Sequence, residues 1–246
     1  MRSTQDRVLR ACKSAVEAAG MAIPWLTRTL APTATRCVSG VWRTGSVPRP
    51  APPEGSTVPV ETTPIEGLLV VRWDTFGDER GFFRQTYQIA ELAEALGREP
   101  VLRQGNHSRS GPGVLRGFHA EPWDKLVYVV RGTAFCAIAD VRPDSPTFGE
   151  VATFTLGDAP GERVRLFVAD GLANSFCTVT DMDYVYDVGG YWTPEVDRRA
   201  VAWDDPDLAV AWPVDAPIVS AADRANPTLR ERYRDHPRWR GGRSVS

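Results

Sequence analysis

From Lys125 to Trp203 the chain is written in short apolar, β-prone runs, each closed by a turn signal, with no helical period among them. The runs are Lys125–Val130, Ala134–Val141, Val151–Leu156, Val164–Val168, Phe176–Thr180, Tyr184–Val188 and Ala200–Trp203, and Leu68–Trp73 is an earlier one of the same kind. The breaks are Arg131-Gly132, Pro143-Asp144 and Gly157-Asp158-Ala159-Pro160, residues that favour turns. One helix is expected, Ile89–Leu96, with Ile89, Leu92, Ala93 and Leu96 on one face and Gly97 as its stop. Many short strands and little helix restrict the architecture to a closed or double-sheet all-β fold, a jelly roll or barrel. Such folds hold ligands between inward-facing alternate residues.

The run of strands occupies only part of the 246 residues. Residues 1–46 carry seven Arg or Lys (Arg2, Arg7, Arg10, Lys13, Arg28, Arg36, Arg43) against Asp6 and Glu17. A short amphipathic helix over Val8–Val16 is compatible with that composition, but Pro24 interrupts the apolar part, which lacks the uniform core of a signal peptide. An organellar targeting peptide shares the Arg-rich, acid-poor character; a disordered extension, or sequence translated upstream of the true start, is the expected reading. Residues 47–64 are Pro-rich and read as a linker. The folded domain is expected over 65–226 and a frayed basic tail over 227–246, with His236 in solvent. Removal of residues 1–60 is expected to leave activity largely intact.

A net charge of −2 gives no general affinity for nucleic acid, and no segment has the length and apolarity of a membrane span. Cys12, Cys37, Cys136 and Cys177 form no CxxC pair. Cys136 and Cys177 lie in apolar runs and read as buried free thiols, which suits a reducing cytoplasm.

The chemistry concentrates in Val114-Leu115-Arg116-Gly117-Phe118-His119-Ala120-Glu121-Pro122-Trp123-Asp124-Lys125. One of only three histidines sits here between an arginine and a lysine. A histidine titrates near neutral pH, and a fixed cation holds an oxyanion, so the combination suits proton removal beside a carbonyl.

Seven motifs in order carry a resemblance. They begin with Phe76-Gly77-Asp78-Glu79-Arg80-Gly81-Phe82-Phe83, Gln104-Gly105-Asn106-His107-Ser108, and the Arg116–His119 run with Lys125-Leu126-Val127. They continue with Asp140-Val141-Arg142 plus Ser145–Gly149, Gly171-Leu172-Ala173-Asn174-Ser175-Phe176, Tyr184-Val185-Tyr186 with Tyr191-Trp192, and Trp203-Asp204-Asp205-Pro206 with Ala211-Trp212-Pro213. From Ile65 to Asn226 the chain resembles the dTDP-4-dehydrorhamnose 3,5-epimerases, sugar-nucleotide epimerases of the cupin superfamily. The resemblance implies a double-stranded β-helix (cupin jelly roll), a homodimer, and a dTDP-linked 4-keto-6-deoxyhexose as substrate. It also implies epimerisation at carbons 3 and/or 5 through an enolate, with no cofactor and no metal.

Roles follow from the same resemblance. His119 matches the base, Asp223 its carboxylate partner, Lys125 the cation near the enolate oxygen, and Tyr186 the acid on the opposite face. Tyr184 shares a strand face with Tyr186 and is a rival for that role. Arg80 and Arg116 match positions that hold diphosphate and sugar, while Gln104 and Asn106 match polar residues of the cleft. Trp192 matches an aromatic ring that stacks on thymine. Asn174 stands where the family usually has histidine, and Gln85 where glutamate is common; both match substrate-binding positions of the cleft. An inactive sugar-nucleotide-binding cupin is the alternative that Asn174 leaves open. A metal-dependent cupin is the weaker alternative, because the position two residues after His119 is Glu121 and Asn174 supplies no imidazole.

Overall fold

The computed structural model describes residues 60–72 and 75–240; residues 1–59, with Cys12 and Cys37, and also Trp73 lie outside them. The apolar runs become strands of two sheets. The first sheet has six strands in the order β1 (Val60–Thr62), β2 (Leu68–Arg72), β10 (Val164–Val168), β7 (Lys125–Arg131), β12 (Met182–Val188) and β5 (Gln104–Ser110). The second has five, in the order β13 (Ile218–Val219), β6 (Val114–His119), β11 (Leu172–Thr178), β8 (Thr133–Asp140) and β9 (Val151–Gly157). A separate hairpin pairs β3 (Phe76–Asp78) with β4 (Gly81–Phe83). Strands adjacent in space but distant in sequence, such as β10 between β2 and β7, make this the jelly roll that the strand pattern implied.

Period-two alternation divides each strand between two environments. Val70, Val127, Leu166 and Val168 of the first sheet pack with Cys136, Ile138, Leu156, Leu172 and Phe176 of the second, forming the core between the sheets. The outer face of the first sheet offers Leu69, Val71, Leu126 and Phe167, and α1 (Ile89–Leu96) covers it with Leu92 and Leu96. Gly97 ends α1 in the left-handed conformation, φ 66°. Cys136 and Cys177 are buried free thiols. Among the described residues no helix is long and apolar enough to cross a membrane.

Four local expectations change. Val60–Thr62, assigned to the linker, pairs with Leu69–Val71, because Val60 can join the apolar face under α1. Ala200–Trp203 is not a strand: only Val201 exchanges backbone hydrogen bonds with Phe118, after which Asp205 turns the chain. Strands β5 and β6 went unread. The inward residues of β5 are polar, so it shows no hydrophobic period, and β6 is interrupted by Arg116 and Gly117.

The C-terminal tail is packed through Trp239, not frayed from 227. Thr228 and Glu231 form a capping box at α3 (Leu229–Arg232), whose Leu229 is fully buried with its N–H on the Asp205 carboxylate. His236 stacks on Phe148 at 4.0 Å and bonds the Pro143 carbonyl at 2.7 Å, so it is half-buried rather than in solvent.

Gly117 fixes the course of β6 immediately before His119. Its φ is 125°, and an added Cβ would lie 2.5 Å from the Ser175 side chain. Gly117→Ala should cost about 2–4 kcal/mol, combining strained backbone with overpacking. Gly113→Ala, at φ 76° with open space around it, should cost only the backbone part. Denaturant melts of the two variants compare them directly.

Candidate active site

At one end of the gap between the sheets the inward residues turn polar, and the gap stays open. The cavity has a volume of about 370 Å³ and takes its walls from both sheets. Strand register lays out the first wall in rows: Gln104, Val188 and Lys125, then Asn106, Tyr186 and Val127, then Ser108, Tyr184 and Val129. On the opposite wall Asn174 of β11 lies beside His119 of β6. Alternation therefore brings Gln104, Asn106, Arg116, His119, Lys125, Asn174, Tyr184, Tyr186 and Trp192 to one cavity.

Asp223 reaches His119 from 104 residues further along the chain. Strand β13 runs parallel to β6, pairing Ile218 with Val114 and Val219 with Leu115. Ser220 then caps α2 (Ala221–Arg224) by accepting the Asp223 N–H at 3.0 Å, which turns the carboxylate toward the imidazole. The Asp223 Oδ1 to His119 Nε2 distance is 2.6 Å, and the Asp223 side chain is 6% exposed. Burial by itself pushes the Asp223 carboxyl up. The hydrogen bond and charge of His119, the Ser220 hydroxyl and the Arg198 guanidinium outweigh it and hold the carboxyl below the ordinary carboxylate value.

Lys125 is buried with its ammonium on the His119 carbonyl, at 2.8 Å, and in an ion pair with Glu121. Burial draws the Lys125 pKa down, and the Glu121 carboxylate opposes that. Glu121 feels the reverse: burial raises its pKa, but Lys125 and then His119 bring it below the usual range.

The two tyrosines differ. Tyr184 is 1% exposed, stacks on Phe176 at 4.4 Å and lies 3.4 Å from the Asn174 amide, and burial pushes its pKa well above 10. Tyr186 is only half-buried; burial first and the Glu121 charge second raise its pKa, with Arg116 opposing.

At the mouth, Gln104 donates to Asn106 at 2.7 Å and accepts the Trp192 N–H at 3.3 Å, while the Trp192 ring is 56% exposed. Among the described residues Arg116 donates to the Ser110 hydroxyl, at 3.2 and 3.4 Å, and forms no ion pair with a carboxylate.

Arg80 and Gln85, expected in the same cleft, do not line it within one chain. Arg80 sits on the β3–β4 turn, exposed and paired with Asp78, and Gln85 bonds Gln88 beside a separate cleft. The reason is local: the hairpin comes just before α1, which covers the outer face of the first sheet.

The cavity also holds Glu121, Trp123, Ser108 and Arg198, which sequence reasoning did not assign. Ser108 shares strand parity with Gln104 and Asn106, and Glu121 stands two residues from His119, so both were within reach of the pattern. Arg198 lies in an irregular segment anchored by its carbonyl to the Ala120 N–H, and no periodicity points to it.

Residues 62–231 match the family model for dTDP-4-dehydrorhamnose 3,5-epimerase. The chain belongs to that family. A dTDP-4-dehydrorhamnose 3,5-epimerase of Shigella flexneri is 37% identical over 65% of this chain and 90% of its own length. A Pseudomonas aeruginosa protein of the same description is 38% identical over 65% and 90%. Among solved structures, the 4-keto-6-deoxy sugar epimerase NovW of Streptomyces spheroides superposes with a TM-score of 0.69. It is 33% identical, covering 74% of this chain and 92% of NovW. RmlC of Legionella pneumophila, in complex with dTDP-4-keto-L-rhamnose, gives a TM-score of 0.66 at 32% identity, covering 71% and 94%. As a member of this epimerase family the chain is an isomerase with the cupin jelly roll.

The buried pair of this epimerase fold is testable. Glu121→Ala leaves the Lys125 ammonium uncompensated, with its side chain 5% exposed. Loss of one partner of a buried pair should cost about 3–5 kcal/mol in a urea melt. The double change Glu121→Gln with Lys125→Met should recover most of that loss.

Proposed function

We propose that the chain epimerises a dTDP-linked 4-keto-6-deoxyhexose, with His119 and Asp223 as the base dyad. The observation that carries this reading is the 2.6 Å dyad inside a cavity that also presents Lys125 and Tyr186. The Legionella relative holds dTDP-4-keto-L-rhamnose in its structure, which supports the same substrate class here. A ketone at carbon 4 acidifies the protons on carbons 3 and 5. An ionised Asp223 accepts from Nε2–H of His119, leaving the Nδ1 lone pair of the neutral imidazole to take a proton. The enolate oxygen is met by the Lys125 ammonium. Tyr186, with the more accessible phenol, returns a proton from the far face, and Tyr184 is packed away as part of the wall. No cofactor or metal enters these steps.

Arg116 supplies a guanidinium fork for the diphosphate, Gln104 and Asn106 bond the sugar nucleotide, and Asn174 steadies the wall beside His119. Trp192 offers its exposed face to the base. A homodimer completes the site in this reading. Phe76, Phe82 and Phe83 stand 57%, 58% and 67% exposed on the β3–β4 hairpin, and β5 is an edge strand of its sheet among the described residues. The hairpin of a second copy, joined to that edge, would bring Arg80 and Gln85 to the cavity. Light scattering at micromolar concentration should give twice the chain mass; a monomer would remove the dimer from the account. Buried thiols at Cys136 and Cys177 support a cytoplasmic setting.

The test is incubation with the 4-keto sugar nucleotide in deuterated water. Deuterium should enter at carbons 3 and 5, or at one of them for a single inversion. His119→Ala should abolish exchange, falling by about 10²–10⁴-fold. Tyr186→Phe should suppress inversion but keep exchange, because His119 still removes a proton and returns it to the same face. No exchange with the intact chain would mark a binding module instead.

A further inference from the structure

A second cleft lies on the outer face of the first sheet, away from the cavity, and it is built from arginines. Arg84, Arg163 and Arg165 line it, with Tyr128 as part of its wall. Arg165 is 5% exposed, and its Nε and Nη1 donate to no acceptor among the described residues. Its guanidinium lies 3.4 Å from the Tyr128 ring centre and 5.0 Å from that of Tyr87, so aromatic faces occupy directions in which a carboxylate could have stacked.

Among the described residues two acids stand near. Asp187 Oδ2 forms an ion pair with Arg165 Nη1 at 3.6 Å, too long for a hydrogen bond, and Asp158 acts on Arg84 only at a distance while its backbone carbonyl takes the Arg163 Nε–H. Arg84 and Arg163 both lean on the Phe82 ring, at 5.8 and 4.8 Å, and neither neutralises the other. Burial and repulsion from Arg163 lower the Arg84 pKa, and burial lowers that of Arg165 against the opposing charge of Asp187, as expected where three guanidiniums gather around a single ion-paired carboxylate.

We propose that this cleft is a binding site for one small inorganic anion of halide size, held by Arg165 with Arg84 and Arg163. Size selects the occupant. The free volume is about 10 Å³, room for one particle near the size of water, and a halide is the simple anion nearest that size. Charge excludes water as an equal substitute, because three guanidiniums gather around so small a space. A bound halide would tie the segment leading into α1, which carries Arg84, to β10 of the sheet.

The full chain should be melted in sodium gluconate, chloride or bromide at constant ionic strength. Tm should rise by roughly 2–4 °C and saturate with chloride and with bromide. Arg165→Met should abolish that rise, while Arg72→Met, which alters an exposed arginine paired with Glu61, should keep it. Equal Tm in gluconate and chloride, or an unchanged halide response in Arg165→Met, would overturn the proposal. If Arg165→Met fails to fold, bromide-soaked crystals of the unaltered chain decide: an anomalous peak against the Arg165 guanidinium supports the site, and its absence there refutes it.

Discussion

Two β-sheets facing one another must fill the space between them, and this chain fills only one end. Where Val70, Val127, Leu166, Ile138 and Leu156 meet, the gap closes as core. Where the inward positions are Gln104, Asn106, Lys125, Tyr186, Asn174 and His119, polar groups cannot close on each other without losing hydration, and a cavity of about 370 Å³ remains. The same alternation that builds the core thus builds the site. Shifting any one of β5, β7 or β12 by a residue would turn its cavity-facing set outward.

That constraint explains which parts of the molecule were legible in its sequence. The inner strands β7, β8, β10 and β12 were readable because their apolar periods are strong, and Ile89–Leu96 because its helical face and Gly97 stop agree. His119, Lys125, Tyr184 and Tyr186 were readable because motif and strand parity point the same way. Strand β5 was not, since a wall of Gln104, Asn106 and Ser108 looks like a loop to any hydrophobic pattern. The end of the chain was misjudged for a different reason. Its charges suggested a tail, yet Leu229, the Thr228–Glu231 capping box and the His236–Phe148 stack fasten it to the fold. Several family motifs prove architectural: Asp140 is fully buried and holds Arg142, Ser145 and Thr147, and Asp205 ties the turn at Leu208 to α3.

Charge in the cavity is arranged in balanced pairs plus a surplus. Asp223 matches His119 and Glu121 matches Lys125, while among the described residues Arg116 has the Ser110 hydroxyl and no carboxylate. In the proposed function an anionic diphosphate complements that surplus, and the paired groups are left for the sugar. Acid conditions should unmake the dyad: the Asp223 carboxyl is held below its ordinary value of 3.8, so the stability it lends is whole above that pH and fades as pH falls through the lowered value.

The central claim is that Asp223 makes His119 the base that removes the substrate's protons. The most direct measurement is the rate of deuterium entry at carbons 3 and 5 of the 4-keto sugar nucleotide in Asp223→Asn, alongside its thermal melt. The account predicts a fold that still melts cooperatively and an exchange rate lower by about 10²–10⁴-fold, because the amide neither fixes the imidazole tautomer nor stabilises its protonated form. Exchange at the rate of the unaltered chain, in a folded Asp223→Asn protein, would contradict it.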